Sequence, residues 1–454
     1  MAEQKAGFLT KMTLFLEKYL MPIAGKVAEQ KHLGAMRDGM LMAMPLLIVG
    51  SAFLILGFIP IPGYAEFMAR TFGDAWLAKV TLPVGATFSL MAIFANVGIA
   101  YKLCEKYKVE PLLGGLISLA SFILVSPNTV KAVVDVGSGK TVEQVVGGVI
   151  PTSLMGGQGL FVSMLMAIIS AEIYRTLIQK NIVIKLPPSV PPTVGKSFGA
   201  LIPGAAVIVT AWVINLIMAA TPLENIHYVI SKVLVGPITA IGGSYLGMVT
   251  LVLLANMLWM CGIHGANIVY GVAAPMLYTL MDQNLQAYKA GQAIPNIVSQ
   301  NMFDMFVSIG GSGGTLGLVI CMVLFAKSSH LKELGKLSIG PGLFNINEPI
   351  IFGTPIVMNP IMLIPFLLSP VIAISLAYFT MKAGIVAPLP GIAAPWTSPP
   401  GVGGFIASGG KISTGVLQLS MVFIQMIIWY PFFKVMDKQK VDEENLFNAE
   451  MAKN

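Results

Sequence analysis

Charge is what this chain has least of. Only 11% of its 454 residues are Asp, Glu, Lys or Arg, against about a quarter in an ordinary soluble domain. That shortage, with 56% hydrophobic residues and a mean hydropathy of +0.79, points to a polytopic membrane protein. Cysteine is nearly missing too. Cys104, Cys261 and Cys321 lie in or beside apolar runs and form no CxxC or metal-ligand spacing, so they read as buried thiols. Of the four histidines, His32, His227 and His330 fall in loops or termini, which leaves no metal cluster and no implied cofactor. No P-loop or Rossmann fingerprint is present. The cluster Gly310-Gly311-Ser312-Gly313-Gly314 lacks the Lys-Ser/Thr of a phosphate loop, which argues against an ATP-driven pump. Residues 1–38 are polar and basic with no apolar core, so no cleaved signal is expected.

The net charge of +7 suggests nucleic acid only until it is mapped. With alternating spans and a cytoplasmic N-terminus, inner loops hold 20 of the 28 Lys and Arg residues and outer loops hold 8. That bias is a topology signal and puts both termini in the cytoplasm. Residues 14–37 form an amphipathic lead-in, lying on the inner membrane surface or as a plain cytoplasmic helix.

About ten segments approach the roughly 20 apolar residues that a crossing requires. They run over 39–60, 81–101, 111–126, 150–171, 198–221, 237–260, 268–281, 302–326, 361–381 and 416–433. A polar outer loop follows the third, with Gly137–Gly139 as a turn, and a charged tail follows the tenth. The Gly310–Gly314 cluster fits either close helix packing or a bend.

Three stretches break the apolar pattern. The most telling is 339–360, where Gly340, Pro341, Gly342, Pro349, Gly353, Pro355 and Pro360 preclude one unbroken helix. Its one ionisable group is Glu348, preceded by Asn345 and Asn347. Irregular backbone at membrane depth survives only against protein or a water-filled cavity, so this loop reads as re-entrant. Glu348 then acts as a substrate acceptor or base, a proton or ion site, or half of a structural pair. In the second stretch, 259–267, His264 sits between glycines beside Trp259 and Asn267, either as a satisfied core group or as a substrate contact. The third, 383–410, carries five prolines around Trp396, Thr397 and Ser398. Trp259 and Trp396 each flank a break, where packing, interfacial anchoring or stacking on a sugar's C–H face all fit. Asn96, Asn215 and Asn256 lie within spans, as helix-to-helix hydrogen bonds would require.

The run Phe344 to Pro360, Phe-Asn-Ile-Asn-Glu-Pro-Ile-Ile-Phe-Gly-Thr-Pro-Ile-Val-Met-Asn-Pro, follows an upstream Trp-Met-Cys-Gly-Ile-His-Gly-Ala-Asn from Trp259 to Asn267. Together they resemble the membrane-embedded IIC component of bacterial phosphotransferase-system sugar transporters, in the lactose/cellobiose/diacetylchitobiose branch. The resemblance implies an all-α homodimer in the bacterial cytoplasmic membrane, of about ten transmembrane helices per chain with re-entrant hairpin loops. It implies a scaffold and dimerisation half over 39–221 and a sugar-translocation half over 222–433, with a cytoplasmic tail over 434–454. A β-linked disaccharide, cellobiose or N,N'-diacetylchitobiose, would cross the bilayer and be phosphorylated at its 6-hydroxyl. The donor would be a phosphocysteine on a IIB protein, itself fed by IIA, HPr and enzyme I. Since only about twenty residues follow 433, IIB is expected as a separate polypeptide. On this resemblance Glu348 would hold or deprotonate the hydroxyl and His264 would bond to it or to its neighbour. Trp259, Gly262, Asn267, Asn347 and Trp396 would line the same pocket. The rival reading is a proton-coupled secondary sugar transporter with Glu348 as its proton site.

Overall fold

The computed structural model describes residues 30–451, except 58–62, 136–140, 188–189, 223, 261–263, 355 and 357–358. The lead-in before residue 30, the turn at Gly137–Gly139 and Gly262 lie outside the described residues. The principal helices are α1 (Lys31–Leu41), α2 (Met44–Gly57), α3 (Met91–Lys106), α4 (Pro111–Val125), α5 (Leu160–Gln179), α6 (Pro192–Gly199) and α7 (Leu201–Ala219). They continue with α8 (Tyr245–Met260), α9 (Gly265–Lys289), α10 (Leu316–Phe325), α11 (Ser329–Leu343), α12 (Glu348–Gly353), α13 (Pro360–Lys382) and α14 (Ile412–Met451). Between α4 and α5, β1 (Thr129–Asp135) and β2 (Thr141–Gly147) pair antiparallel as a hairpin, with Thr129 opposite Gly147. The polar loop after the third expected span therefore holds a small two-stranded sheet, the one sheet among the described residues.

Among the described residues, six helical stretches are long and apolar enough to cross a membrane: 31–50, 82–106, 157–179, 194–219, 361–382 and 412–446. α4, α8 and α10 are shorter apolar helices. The chain divides into two compact units, one comprising Gln30–Phe53 and Thr81–Ala240, the other including Leu54–Val80 and Ile241 onward.

In the first unit α1, α4 and α5 all pack on α3, and α7 packs on α4 and α5. Hydrophobic burial cannot drive helices together in lipid, so small residues and polar side chains do the joining. Gly39 of α1 and Gly98 of α3 meet backbone to backbone; a Cβ on either would strike the other helix's main chain. Asn96 donates to the Ser163 carbonyl at 2.9 Å and accepts from the Ser118 hydroxyl at 2.8 Å, tying α3 to α5 and α4. Ser121 and Ser170 add a hydroxyl pair at 2.7 Å. The fourth span begins later than hydropathy suggests: residues 152–159 form short turns and α5 starts at Leu160.

The second unit combines the long helices α9, α13 and α14 with interrupted ones. The stretch 237–260 is not one span, because a short helix ends at Gly242 and α8 starts at Tyr245. The segment 302–326 is not one span either. A π turn over Phe303–Val307 leads into the glycine cluster, and only then does α10 begin. Gly310, Gly311, Gly313 and Gly314 all have φ between 62° and 82°, so the cluster is a bend. Side chains there would also collide: a Cβ on Gly313 meets the Phe366 ring, and one on Gly311 meets Asn347. Conversely, two expected loops are helical. α9 runs on to Lys289, and the basic segment after Lys327 forms α11, which continues through Gly340, Pro341 and Gly342. Pro341 lies inside this helix, where it removes one ladder bond, two residues before the helix ends. The charged tail continues α14 and has a partner. Asp437 accepts from the Lys327 and Ser328 amides, and Glu444 from the Ser328 hydroxyl and His330 amide, so the start of α11 is capped by α14. Asn256, by contrast, donates to its own helix at Val252, and its Oδ1 is buried without a hydrogen-bond partner.

Candidate functional site

The break after α11 sets the geometry of the site. Asn345 adopts φ 63°, a left-handed conformation that Asn tolerates better than other side-chain residues. Its amide spans three chain segments: Oδ1 accepts from the Gly310 amide at 2.8 Å, while Nδ2 donates to the carbonyls of Trp396 at 2.6 Å and Ser398 at 3.1 Å. Two residues on, Asn347 donates to the Ser312 carbonyl at 2.7 Å and the Thr315 hydroxyl at 3.1 Å. The glycine bend can pass this close only because it lacks side chains, so the two asparagines and the bend form one joint. Asn347 is buried and its amide nitrogen is taken up by that joint.

Glu348 then opens α12, with Pro349 behind it in the first turn, where a missing N–H costs nothing. Ile350 and Ile351 sink into a core with Trp259, Met260, Phe366 and Trp429, which anchors α12. The carboxylate itself is not buried: its side chain is 48% exposed, that of His264 is 41% exposed, and Nε2 lies 4.0 Å from Oε1. That separation exceeds hydrogen-bond distance, and the two groups converge on accessible space. His264 is held in turn by Trp259, whose ring centroid is 4.3 Å away. Gly265, which starts α9, lies against the Ala255 carbonyl, where a Cβ would clash. This close approach aims the histidine.

The expected site residues thus differ in placement. Glu348 and His264 come together. Trp259 is only 3% exposed and packs on the histidine, with a buried indole N–H that has no hydrogen-bond partner among the described residues. Trp396 is 40% exposed on a turn that Asn345 pins. Asn267 lies in the first turn of α9. Among the described residues no group of three His, Cys, Asp or Glu comes together.

Sequence reasoning overlooked Asp304, which sits in the π turn and accepts from Gln300 at 2.9 Å. A carboxylate inside the expected span 302–326 was signal enough. It also overlooked Gln418, which holds the loop after Trp396 by accepting from the Gly401 and Gly404 amides and donating to the Met305 carbonyl, all at 2.7 Å.

Apolar helices interrupted at glycine-rich, polar breaks, with an acid and an imidazole facing each other there, define a polytopic membrane transporter. Comparison with known proteins makes the class specific. The family model "Phosphotransferase system, EIIC" matches residues 37–370. The chain is 52% identical to the lichenan permease IIC component of Bacillus subtilis (strain 168), over 96% of each protein. It is 52% identical to the PTS system cellobiose-specific EIIC component of Geobacillus stearothermophilus, over 94% of this chain and 95% of that protein. A solved structure, "Crystal structure of the transporter ChbC, the IIC component from the N,N'-diacetylchitobiose-specific phosphotransferase system", superposes with a TM-score of 0.90 at 52% identity. That match covers 95% of this chain and 99% of the other. The chain belongs to the EIIC family of the phosphotransferase system, in the cellobiose branch.

Proposed function

We propose that this protein carries a β-linked disaccharide, cellobiose or N,N'-diacetylchitobiose, across the cytoplasmic membrane and offers its 6-hydroxyl to phosphorylated IIB. The observation that supports the chemistry is the 4.0 Å gap between His264 and Glu348. An oxygen about 2.8 Å from each would see the two at roughly a right angle, an arrangement a hydroxyl satisfies by donating to the carboxylate and accepting from the imidazole. Glu348 would orient the hydroxyl and take its proton as the phosphoryl group arrives; His264 would hold the oxygen. Once Glu348 has released that proton to water, its carboxylate would repel the phosphosugar dianion.

Trp396, 40% exposed, is the residue suited to stack on a sugar face; on the family resemblance Gly262 and Asn267 would belong to the same pocket. Trp259 would act by orienting His264, and Asn347 by holding the glycine bend beside Glu348. Residues 39–221 would supply a dimerisation scaffold and 222–433 the translocating part, with both termini cytoplasmic. IIA, HPr and enzyme I would charge IIB upstream.

The test is a phosphorylation screen of disaccharides with the protein in vesicles and phosphorylated IIB outside. Cellobiose or diacetylchitobiose should be the preferred acceptor. Sugar uptake driven by a pH gradient without IIB would instead support the proton-coupled reading, which EIIC family membership does not favour.

A further inference from the structure

The first unit carries a concavity remote in the chain from every residue of the candidate site. A cavity of about 890 Å³ opens between the ends of α3 and α5, the start of α4, the segment 181–187 and α6. Three lysines line it, Lys108, Lys185 and Lys196, against a single carboxylate, Glu110. Lys196 and Glu110 pair at 2.8 Å.

Most of the neighbouring cations are matched by a carboxylate. Lys102 pairs with Glu105, Lys106 with Asp38 and Arg175 with Glu172. Lys108 and Lys185 form no ion pair among the described residues, so the cavity has an uncompensated positive rim. Its walls are apolar, with Val109, Ile178 and Ile184 among them. Around it Ile184, Val194 and Phe198 are 38%, 41% and 44% exposed, beside Lys196 on the short helix α6. Exposed aliphatic and aromatic groups next to lysines at the ends of membrane helices describe an amphiphile's surroundings, whereas a free ion needs only the charge. The Lys/Arg count assigns this end to the cytoplasm.

We propose that this cavity binds a phosphate group, carried by an anionic phospholipid whose glycerol and acyl carbons lie along Ile184 and Phe198. Lys108 and Lys185 hold the phosphate. The inference depends on the membrane topology and not on the sugar chemistry, so failure of the Glu348 experiments leaves it standing.

The full-length protein in neutral detergent should be titrated by native mass spectrometry with phosphatidylglycerol, with phosphatidylcholine and with inorganic phosphate. Phosphatidylglycerol should bind at least about tenfold tighter than phosphatidylcholine, and each lysine should contribute about fivefold. Lys108→Gln with Lys185→Gln should therefore bring phosphatidylglycerol down to the phosphatidylcholine level. Lys108→Arg with Lys185→Arg should retain binding, which separates lost charge from lost folding. Lys102→Gln, at a paired cation outside the cavity, should change nothing. Tight binding of inorganic phosphate alone, lost in the double glutamine variant, would keep the phosphate site and name a soluble source. Unchanged phosphatidylglycerol affinity in the double variant, or an equal loss in Lys102→Gln, would overturn the proposal.

Discussion

The two units solve the same problem in opposite ways. Both must satisfy backbone and polar groups without help from water. The first does so with continuous helices joined by small contacts: Gly39 against Gly98, Asn96 bridging α4 and α5, Ser121 paired to Ser170. The second interrupts several of its helices and re-satisfies the freed backbone groups with side chains. Asn345 reaches Gly310, Trp396 and Ser398, Asn347 reaches Ser312, and Gln418 reaches Gly401 and Gly404. Continuous helices make a rigid body with no backbone to offer a ligand. Interrupted ones hold polar groups at depth in exchange for several special conformations. Function belongs where the interruptions are.

The sharpest test removes the acid at the centre of the interrupted unit. Glu348→Gln keeps shape and loses the charge, so phosphotransfer from phosphorylated IIB should fall by about 100-fold or more. Sugar binding, followed by tryptophan fluorescence, and the thermal midpoint should change little. Phosphorylation within about twofold of the unaltered protein would remove Glu348 from the chemistry. Gly311→Ala should be next in size. It forces φ 82° on a residue with a Cβ and drives that Cβ into Asn347. A loss of about 2–3 kcal/mol in unfolding free energy is expected, together with transport. If Asn347→Gly added to Gly311→Ala restores stability, steric conflict at the joint is the cause.

The matching change in the continuous unit is Gly39→Ala, which pushes α1 from α3 and should cost about 1–3 kcal/mol. In contrast to Gly311→Ala, whatever protein remains folded should phosphorylate sugar at the normal rate. A specific loss of turnover would mean that the units are not separable in function. The smallest effect concerns His227, in a connecting segment of the first unit outside the candidate spans. It is buried with its Nε2 at 2.9 Å from the Ser126 hydroxyl, and burial lowers its pKa from 6.5 to about 4. The folded protein therefore binds this proton less readily than the unfolded chain, and stability falls as pH drops from about 6.5 towards 4. Thermal midpoints should register a loss on the order of 1 kcal/mol by about pH 5.5, and His227→Gln should flatten that slope.

Particular residues show how far the chain could be read in advance. The interruption at Glu348 was legible because Pro349 and Pro355 sit beside a lone carboxylate in an apolar run, a local conflict that needs no partner to recognise. Gly310–Gly314 was ambiguous, since glycines permit both close packing and a bend; the decision came from Asn345, Asn347 and Phe366, between 31 and 56 positions away. Likewise α11 runs through Pro341 to Leu343, although a proline there reads as a breaker. For Trp259 packing and sugar stacking both fit the sequence, and the structure packs it among Ile350, Ile351 and Phe366. Asp304 went unnoticed because its segment was taken for an ordinary span.

Hydropathy, positive-charge bias and proline placement are properties of neighbouring residues along the chain, and they alone determined that this is a polytopic membrane protein with broken segments and one conspicuous acid. Whether His264 reaches that acid, which asparagines clamp the bend, and which lysines go without a carboxylate depend on segments tens to more than a hundred residues apart. Those choices were made only when the helices packed, because the free energy of a hydrogen bond or a close backbone crossing exists only once both partners are in place.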